Sequence, residues 1–458
     1  MNNSRHPHSS KTTRPRKLIK SSFSSLEVQP SKRLGQNFLQ DTGLARRIVN
    51  NLDLNPGQHV VEIGPGLGAL THWLLEHPIR LTLIEFDPSI AADWAERLAT
   101  HPNATVIEAD AAQWDYHQLI PSGPFQLVGN LPYSAATAIL AAWLDPALPI
   151  SRAVAMVQKE VGQRLTALPD CKDYGALSVR VQQRFETTLD CLVPPSAFKP
   201  APKIESAVIR FDPQDRKSLP PCRSRTLDQL LRAGFGQRRK QLGKLFRGIG
   251  VDWETGADFL QVDPRSRAED LSLKQWCRLA RWAGGFADQV TDSSGEWFDI
   301  VDENDAVTGQ ERRSVVHEKG LRHRAVHIFI TNPEGHLLLQ LRSIWKDNHP
   351  LVWDSSAAGH VSAGDDYLIT AEREIEEELG VQVRPREIGR IAACEETGME
   401  FVRIYHAEHP GPFQFDPDEI DAVHFFDRPT IHKWIDARPQ DFAPAFIGCL
   451  RVAEADLD

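Results

Sequence analysis

HVVEIGPGLGALT, His59 to Thr71, runs from a short β-type segment into a glycine-rich turn and then into a helical pattern. Val60-Val61-Glu62-Ile63 reads as a buried strand, and Gly64, Gly66 and Gly68 let the turn bring its backbone close to a ligand. This is the opening unit of a nucleotide-binding α/β crossover. The spacing is G-x-G-x-G, not the dinucleotide G-x-G-x-x-G, and Glu62 precedes the turn where it can receive a cationic amino group. Together these features point to S-adenosylmethionine rather than a nicotinamide cofactor.

The segments that follow support this reading. Arg80 to Asp87 is a second buried strand ending in acid about 20 residues after the glycines, where Glu85 can take both hydroxyls of a ribose. Thr105 to Asp110 repeats the design, and Asp110 can accept from an adenine amino group. The fourth strand, Phe125 to Gly129, leads into Asn130-Leu131-Pro132-Tyr133. An exocyclic adenine amine is a poor nucleophile because its lone pair is delocalised into the ring. If the Asn130 side-chain oxygen and a neighbouring carbonyl accept its protons, electron density turns toward a sulfonium methyl group. Pro132 stiffens that turn, and Tyr133 can stack on a base drawn out of its helix.

At 458 residues the chain is too long for one core, and its composition is that of an ordinary soluble protein. No run reaches the roughly 18 apolar residues of a membrane span. The six cysteines form no C-x-x-C pair, which fits a reducing, cytoplasmic setting. The net charge of −10 is unevenly distributed: residues 1–286 carry +8 and residues 287–458 carry −18. The front is the half suited to a polyanion.

Residues 1–30 are rich in Ser, Arg, Lys and Pro and read as a disordered basic arm. Residues 31–212 alternate strands and helices, the pattern of a parallel sheet covered on both faces. Residues 213–284 turn helical; one helical pattern runs from Thr226 to Phe246, with Arg238, Arg239, Lys240 and Lys244 on its polar side as candidate phosphate contacts. A linker over 285–296 opens the acidic unit, 297–458. Its centre is Gly359, Asp365 and Arg373-Glu374-Ile375-Glu376-Glu377-Glu378-Leu379-Gly380. On a helix Glu374, Glu377 and Glu378 share one face, a set of hard oxygen ligands for Mg²⁺.

GQNFLQD, VEIGPGLGALT, VGNLPYS, MVQKEVGQRL, DYGALSV and VPPSAFKPAPKIESAV occur in the order seen in bacterial ribosomal RNA adenine dimethyltransferases, and the front of the chain resembles that family from Lys32 to Trp282. The resemblance implies a Rossmann-like methyltransferase domain with a small helical domain, acting on two adjacent adenosines of small-subunit rRNA. It also implies that Asn37, Leu39, Gly64, Glu85, Asp110 and Asn130 contact or shape the cofactor site, and that Tyr133 and Phe198 sandwich the target base. Related large-subunit enzymes and a non-catalytic assembly factor are the alternatives. The acidic unit resembles an α/β Nudix hydrolase domain, which implies Mg²⁺-dependent cleavage of a diphosphate, with Glu377 at the reacting centre. Asp365 stands where that family usually has Glu. The flanks resemble the isopentenyl diphosphate isomerase branch, but Ser355 and Ser356 stand near where that enzyme has its catalytic cysteine, so hydrolysis is the expected chemistry.

Overall fold

The computed structural model describes residues 37–287, 295–395 and 397–457. The basic arm and most of the linker lie outside them.

The front half is built on a seven-stranded sheet. Its strands are β1 (His59–Ile63), β2 (Arg80–Glu85), β3 (Ala104–Glu108), β4 (Phe125–Asn130), β5 (Ile150–Gln158), β6 (Phe185–Val193) and β7 (Ser206–Pro213). They stand in the order β3-β2-β1-β4-β5-β7-β6. β1 to β6 run the same way and β7 alone runs against them, inserted between β5 and β6, so the sheet is mixed and not wholly parallel as the alternation suggests. The reason is the connection: β6 reaches β7 without a crossover helix, and a parallel return needs one. β1 is buried along its whole length, as expected of a central strand covered on both faces. The glycine turn after it is followed by only one turn of helix, Thr71–Leu74.

Ahead of the sheet, Phe38–Leu39 pairs with Phe198–Lys199, and Asp41 caps the helix α1 (Thr42–Asn50) by accepting from the Leu44 N–H at 3.0 Å. Behind it comes a helical bundle. The single helix expected from Thr226 to Phe246 is two helices, α3 (Ser224–Phe235) and α4 (Leu242–Phe246); α2 (Ala176–Arg184) precedes them. Tertiary bonds claim the backbone between α3 and α4: the Leu242 N–H donates to the Ser266 carbonyl at 2.9 Å, and the Arg238 guanidinium is drawn toward the Tyr174 carbonyl at 2.8 Å. Leu230, Leu231, Phe246, Trp276 and Leu279 form the bundle's core, joined by Tyr174 and Val179 from the sheet domain.

The back half is a second α/β unit. Its principal strands are β8 (His323–Thr331), β9 (Leu337–Arg342), β10 (Ala357–His360), β11 (Glu400–Glu408) and β12 (Ile420–Phe426). β8 pairs in parallel with β11 and antiparallel with β10, while β12 lies antiparallel to β9. Helix α5 (Tyr367–Leu379), capped by Asp366, packs on β8 and β10 through Ala371, Ile375 and Leu379.

The halves are packed together. Tyr116, Leu119 and Ile120 share one apolar cluster with Ile431 and Trp434. Arg281, 1% exposed, pairs through both terminal nitrogens with Asp418, one of them at 2.7 Å, and Arg216 reaches Asp421 at 2.5 Å. The His117 and His424 rings stack at 3.8 Å and 10°. Burial pulls the His117 imidazole down, but Asp145 and Asp115 hold it above its ordinary range; burial and His117 push His424 down to about 4. Across the stack His117 therefore keeps its proton to higher pH than His424 does. Arg281→Leu leaves the Asp418 carboxylate buried without its countercharge. It should cost about 3–5 kcal/mol, read as a lower denaturant midpoint for the full chain.

Candidate functional site

Two cavities hold the chemistry-bearing residues. The first, of about 280 Å³, opens at the carboxyl ends of β1, β2 and β4, as in other open α/β sheets. Asn37, Leu39, Glu62, Gly64, Gly66, Glu85, Asp110, Asn130, Leu131, Pro132 and Tyr133 all line it. Parallel register explains the convergence: Ile63 lies opposite Ile84 on one side and Gly129 on the other, so three strand ends finish level.

The turn is fixed by a carboxylate. Glu85 is buried and accepts from the Gly66 N–H at 3.2 Å and the Asp87 N–H at 2.9 Å, while burial raises its carboxyl above the usual range. Gly66 has φ +51°, and a Cβ there would meet the Phe38 ring at 3.1 Å; only glycine suits both constraints. Glu62 is fully buried, its Oε2 has no hydrogen-bond partner, and burial pushes it up to about 8. A buried carboxyl oxygen without a partner in the wall of a cavity fits a cationic group arriving from outside. Asp110 is tied at the rim, accepting from the Ala112 N–H at 2.9 Å and the Gln113 amide at 3.1 Å.

Asn130 donates its Nδ2 to the Asn37 carbonyl at 3.0 Å, which assigns the amide orientation and leaves Oδ1 as an acceptor. The Tyr133 hydroxyl is 2.7 Å from Ser206 Oγ, and the ring is half-buried at the cavity edge. Two expected members stand elsewhere. Gly68 does not line the cavity; its φ is +89°, and a Cβ there would strike Trp94 at 2.6 Å, so it serves close packing. Phe198 is 4% exposed in the hydrophobic core, opposite Leu39, and is not in the cavity wall. Conversely, Phe86 lines the cavity at 55% exposure beside Glu85, an aromatic face that the acid at the strand end overshadowed in the sequence. Among the basic residues Arg239, Lys240 and Lys244 are exposed, whereas Arg238 is committed to Glu269 at 2.9 Å and to neighbouring carbonyls.

The second cavity, of about 750 Å³, lies over α5. Glu374, Glu377 and Glu378 all line it, with Arg313, Arg342, Lys346 and Arg373 facing them. Glu374 and Glu378 are 9% and 5% exposed; burial raises both carboxyls, and their mutual repulsion raises Glu374 further. Glu374 fills the space beside Gly359, where a Cβ would come within 2.2 Å of its carboxyl carbon. Two buried, like-charged carboxyls with a third at the rim suit a divalent cation, and the surrounding cations suit phosphate oxygens. Glu377 is bridged to Arg373 at 3.3 Å. Asp365 is exposed and outside the cavity wall. Ser355 and Ser356 are buried behind it, with Ser355 Oγ 2.6 Å from His327 Nδ1 and Ser356 Oγ donating to the Leu338 carbonyl at 2.7 Å. His317 and His360, which line the cavity, and buried His323 bring ring nitrogens within 4.8 Å of one another, a metal-competent group that their separation in sequence hid.

Residues 28–284 match the family model described as ribosomal RNA adenine dimethylase, and residues 321–446 match the NUDIX domain. The ribosomal RNA small subunit methyltransferase A of Xanthomonas euvesicatoria is 42% identical over 257 residues, covering 56% of this chain and 97% of that protein. The protein of the same name from Proteus mirabilis is 40% identical over 257 residues, covering 55% and 92%. Among solved structures, the 23S rRNA methyltransferase ErmE is 28% identical with a TM-score of 0.43, covering 54% of this chain and 98% of that one. With the motif residues gathered at the strand ends and the match spanning more than half its length, the chain belongs to the ribosomal RNA adenine dimethylase family and carries a NUDIX domain behind it.

Proposed function

We propose that the front half transfers methyl groups from S-adenosylmethionine to the N6 amines of two adjacent adenosines near the 3′ end of small-subunit rRNA. The observation that carries this reading is Asn130, whose amide nitrogen is held by the Asn37 carbonyl so that its oxygen is left to accept an amine proton. The cofactor supplies an electrophilic methyl on a sulfonium. Glu62 faces its amino group, Glu85 its ribose and Asp110 its adenine, with Phe86 offering a flat cover. Tyr133 supports the target base, and Arg239, Lys240 and Lys244 meet the RNA backbone. Small-subunit rRNA as the target is supported by the names of the 40–42% identical relatives.

The NUDIX domain, in the same reading, hydrolyses a nucleoside-diphosphate-type substrate with Mg²⁺ held by Glu374, Glu377 and Glu378. The cation supplies charge neutralisation and an activated water; Arg342, Lys346 and Arg373 orient the phosphates. Buried serines outside the cavity wall favour hydrolysis over an isomerisation that needs a cysteine at that place.

Asn130→Ala should lower methyl transfer to unmodified small subunits by about 10²-fold or more. The check is labelled cofactor followed by mapping of the labelled adenosines; undiminished labelling would remove the assignment. Glu377→Gln should lower Mg²⁺-dependent phosphate release about 10²-fold on any diphosphate that the wild type cleaves. An unchanged rate would take Glu377 out of the site. Glu62 gives a pH signature. Its folded carboxyl, at about 8, lies above the ordinary 4.5, so the empty protein is stabilised by the protonated form and loses that stability as pH rises from 4.5 through 8. A cationic ligand needs the ionised form, so cofactor affinity should rise with pH up to about 8. Titration calorimetry should show this in the wild type and a flat profile in Glu62→Gln.

A further inference from the structure

Between the helical bundle and the NUDIX domain lies a third cavity, of about 580 Å³, in neither of the sites above. Arg180, Arg184, Arg216, Arg223 and Arg225 line it, and among the described residues Asp421 is the only carboxylate in its wall. Two of the five are neutralised: Arg180 pairs with Asp228 at 2.8 Å and Arg216 with Asp421 at 2.5 Å. Among the described residues Arg184, Arg223 and Arg225 make no close ion pair, although Asp145 and Asp421 act on Arg184 and Arg223 acts on Asp416 from further away. Arg184 uses one terminal nitrogen on the Leu148 carbonyl, while its Nε is buried with no hydrogen-bond partner. Burial and the adjacent Arg216 push this guanidinium down to about 10, and Asp145 and Asp421 only partly oppose them. Arg223 is held in place by the Phe415 carbonyl at 3.1 Å and by the Phe286 ring, 4.8 Å below its guanidinium. Arg225 is exposed at the rim.

The opposite wall is aromatic. Trp345, Phe413 and Phe415 reach the cavity from two NUDIX loops and are half-buried. Trp345 stacks on no other aromatic ring among the described residues, and it lines the cavity. Guanidinium forks matched to phosphate on one side and a flat indole on the other are the two halves of nucleotide recognition. The volume is that of a small-molecule site.

We propose that this interdomain cavity binds a nucleotide, its phosphates neutralising Arg184, Arg223 and Arg225 and its base lying on Trp345. Because the walls come from both halves, a bound nucleotide also bridges the methyltransferase half to the NUDIX domain.

The test is equilibrium dialysis of the full-length protein with radiolabelled ADP. EDTA strips divalent cations from the NUDIX cavity, and saturating S-adenosylhomocysteine fills the front one. Saturable binding near one equivalent is expected, weakened about tenfold or more in both Arg184→Gln and Arg225→Ser. Arg225 is an exposed side chain, so its variant keeps the test valid if Arg184→Gln fails to fold. ADP should also quench tryptophan fluorescence in the wild type and not in Trp345→Phe. No saturable binding, equal affinity in wild type and Arg225→Ser, or inorganic pyrophosphate binding as tightly as ADP would each overturn the nucleotide site.

Discussion

The register of five parallel strands is the constraint on which the front half depends. Backbone bonds between β1 and its neighbours bring Ile63, Ile84 and Gly129 level, and no side chain could bring the following residues together if one strand slipped. Gly129 shows how tight the fit is: a Cβ there would lie 2.7 Å from the Ile63 carbonyl. From that level edge the glycine turn, Glu85 and Asn130 project into one cavity. The Glu85 carboxylate then fastens the turn after β1 to the end of β2.

The back half rests on the opposite kind of interaction, a repulsion held in place. Helix α5 spends Ala371, Ile375 and Leu379 on the core, and this burial is what holds Glu374 and Glu378 in a confined space. Removing water from two neighbouring carboxylates is unfavourable, and apolar packing on the other face of the same helix offsets it. Arg373, Lys346 and Arg342 line the same cavity and oppose the shift that burial and repulsion impose on these carboxyls.

The junction explains the uneven charge of the chain. A basic front and an acidic back meet through Arg281 with Asp418 and Arg216 with Asp421, beside a shared apolar cluster. The match is incomplete, since the front contributes more guanidiniums to the junction than the back contributes carboxylates. That surplus lies in one cavity between the two halves.

The sequence by itself determined the two α/β units, the glycine turn, the acids ending β2 and β3, the Asn130 to Tyr133 turn and the glutamate face of α5. These are local patterns: strand and helix periods, turn chemistry and spacing along one element carry them without any tertiary information. Tertiary structure alone decided the rest. Whether Phe198 faces a cavity or the core, whether Arg238 is free for RNA or bound to Glu269, and whether residues 226–246 stay one helix depend on partners far along the chain. So do the Phe86 face, the grouping of His317, His323 and His360, and the arginine-lined junction. Hydrogen bonds and burial between residues distant in sequence leave no periodic trace, because the energy that selects them exists only after the elements have packed.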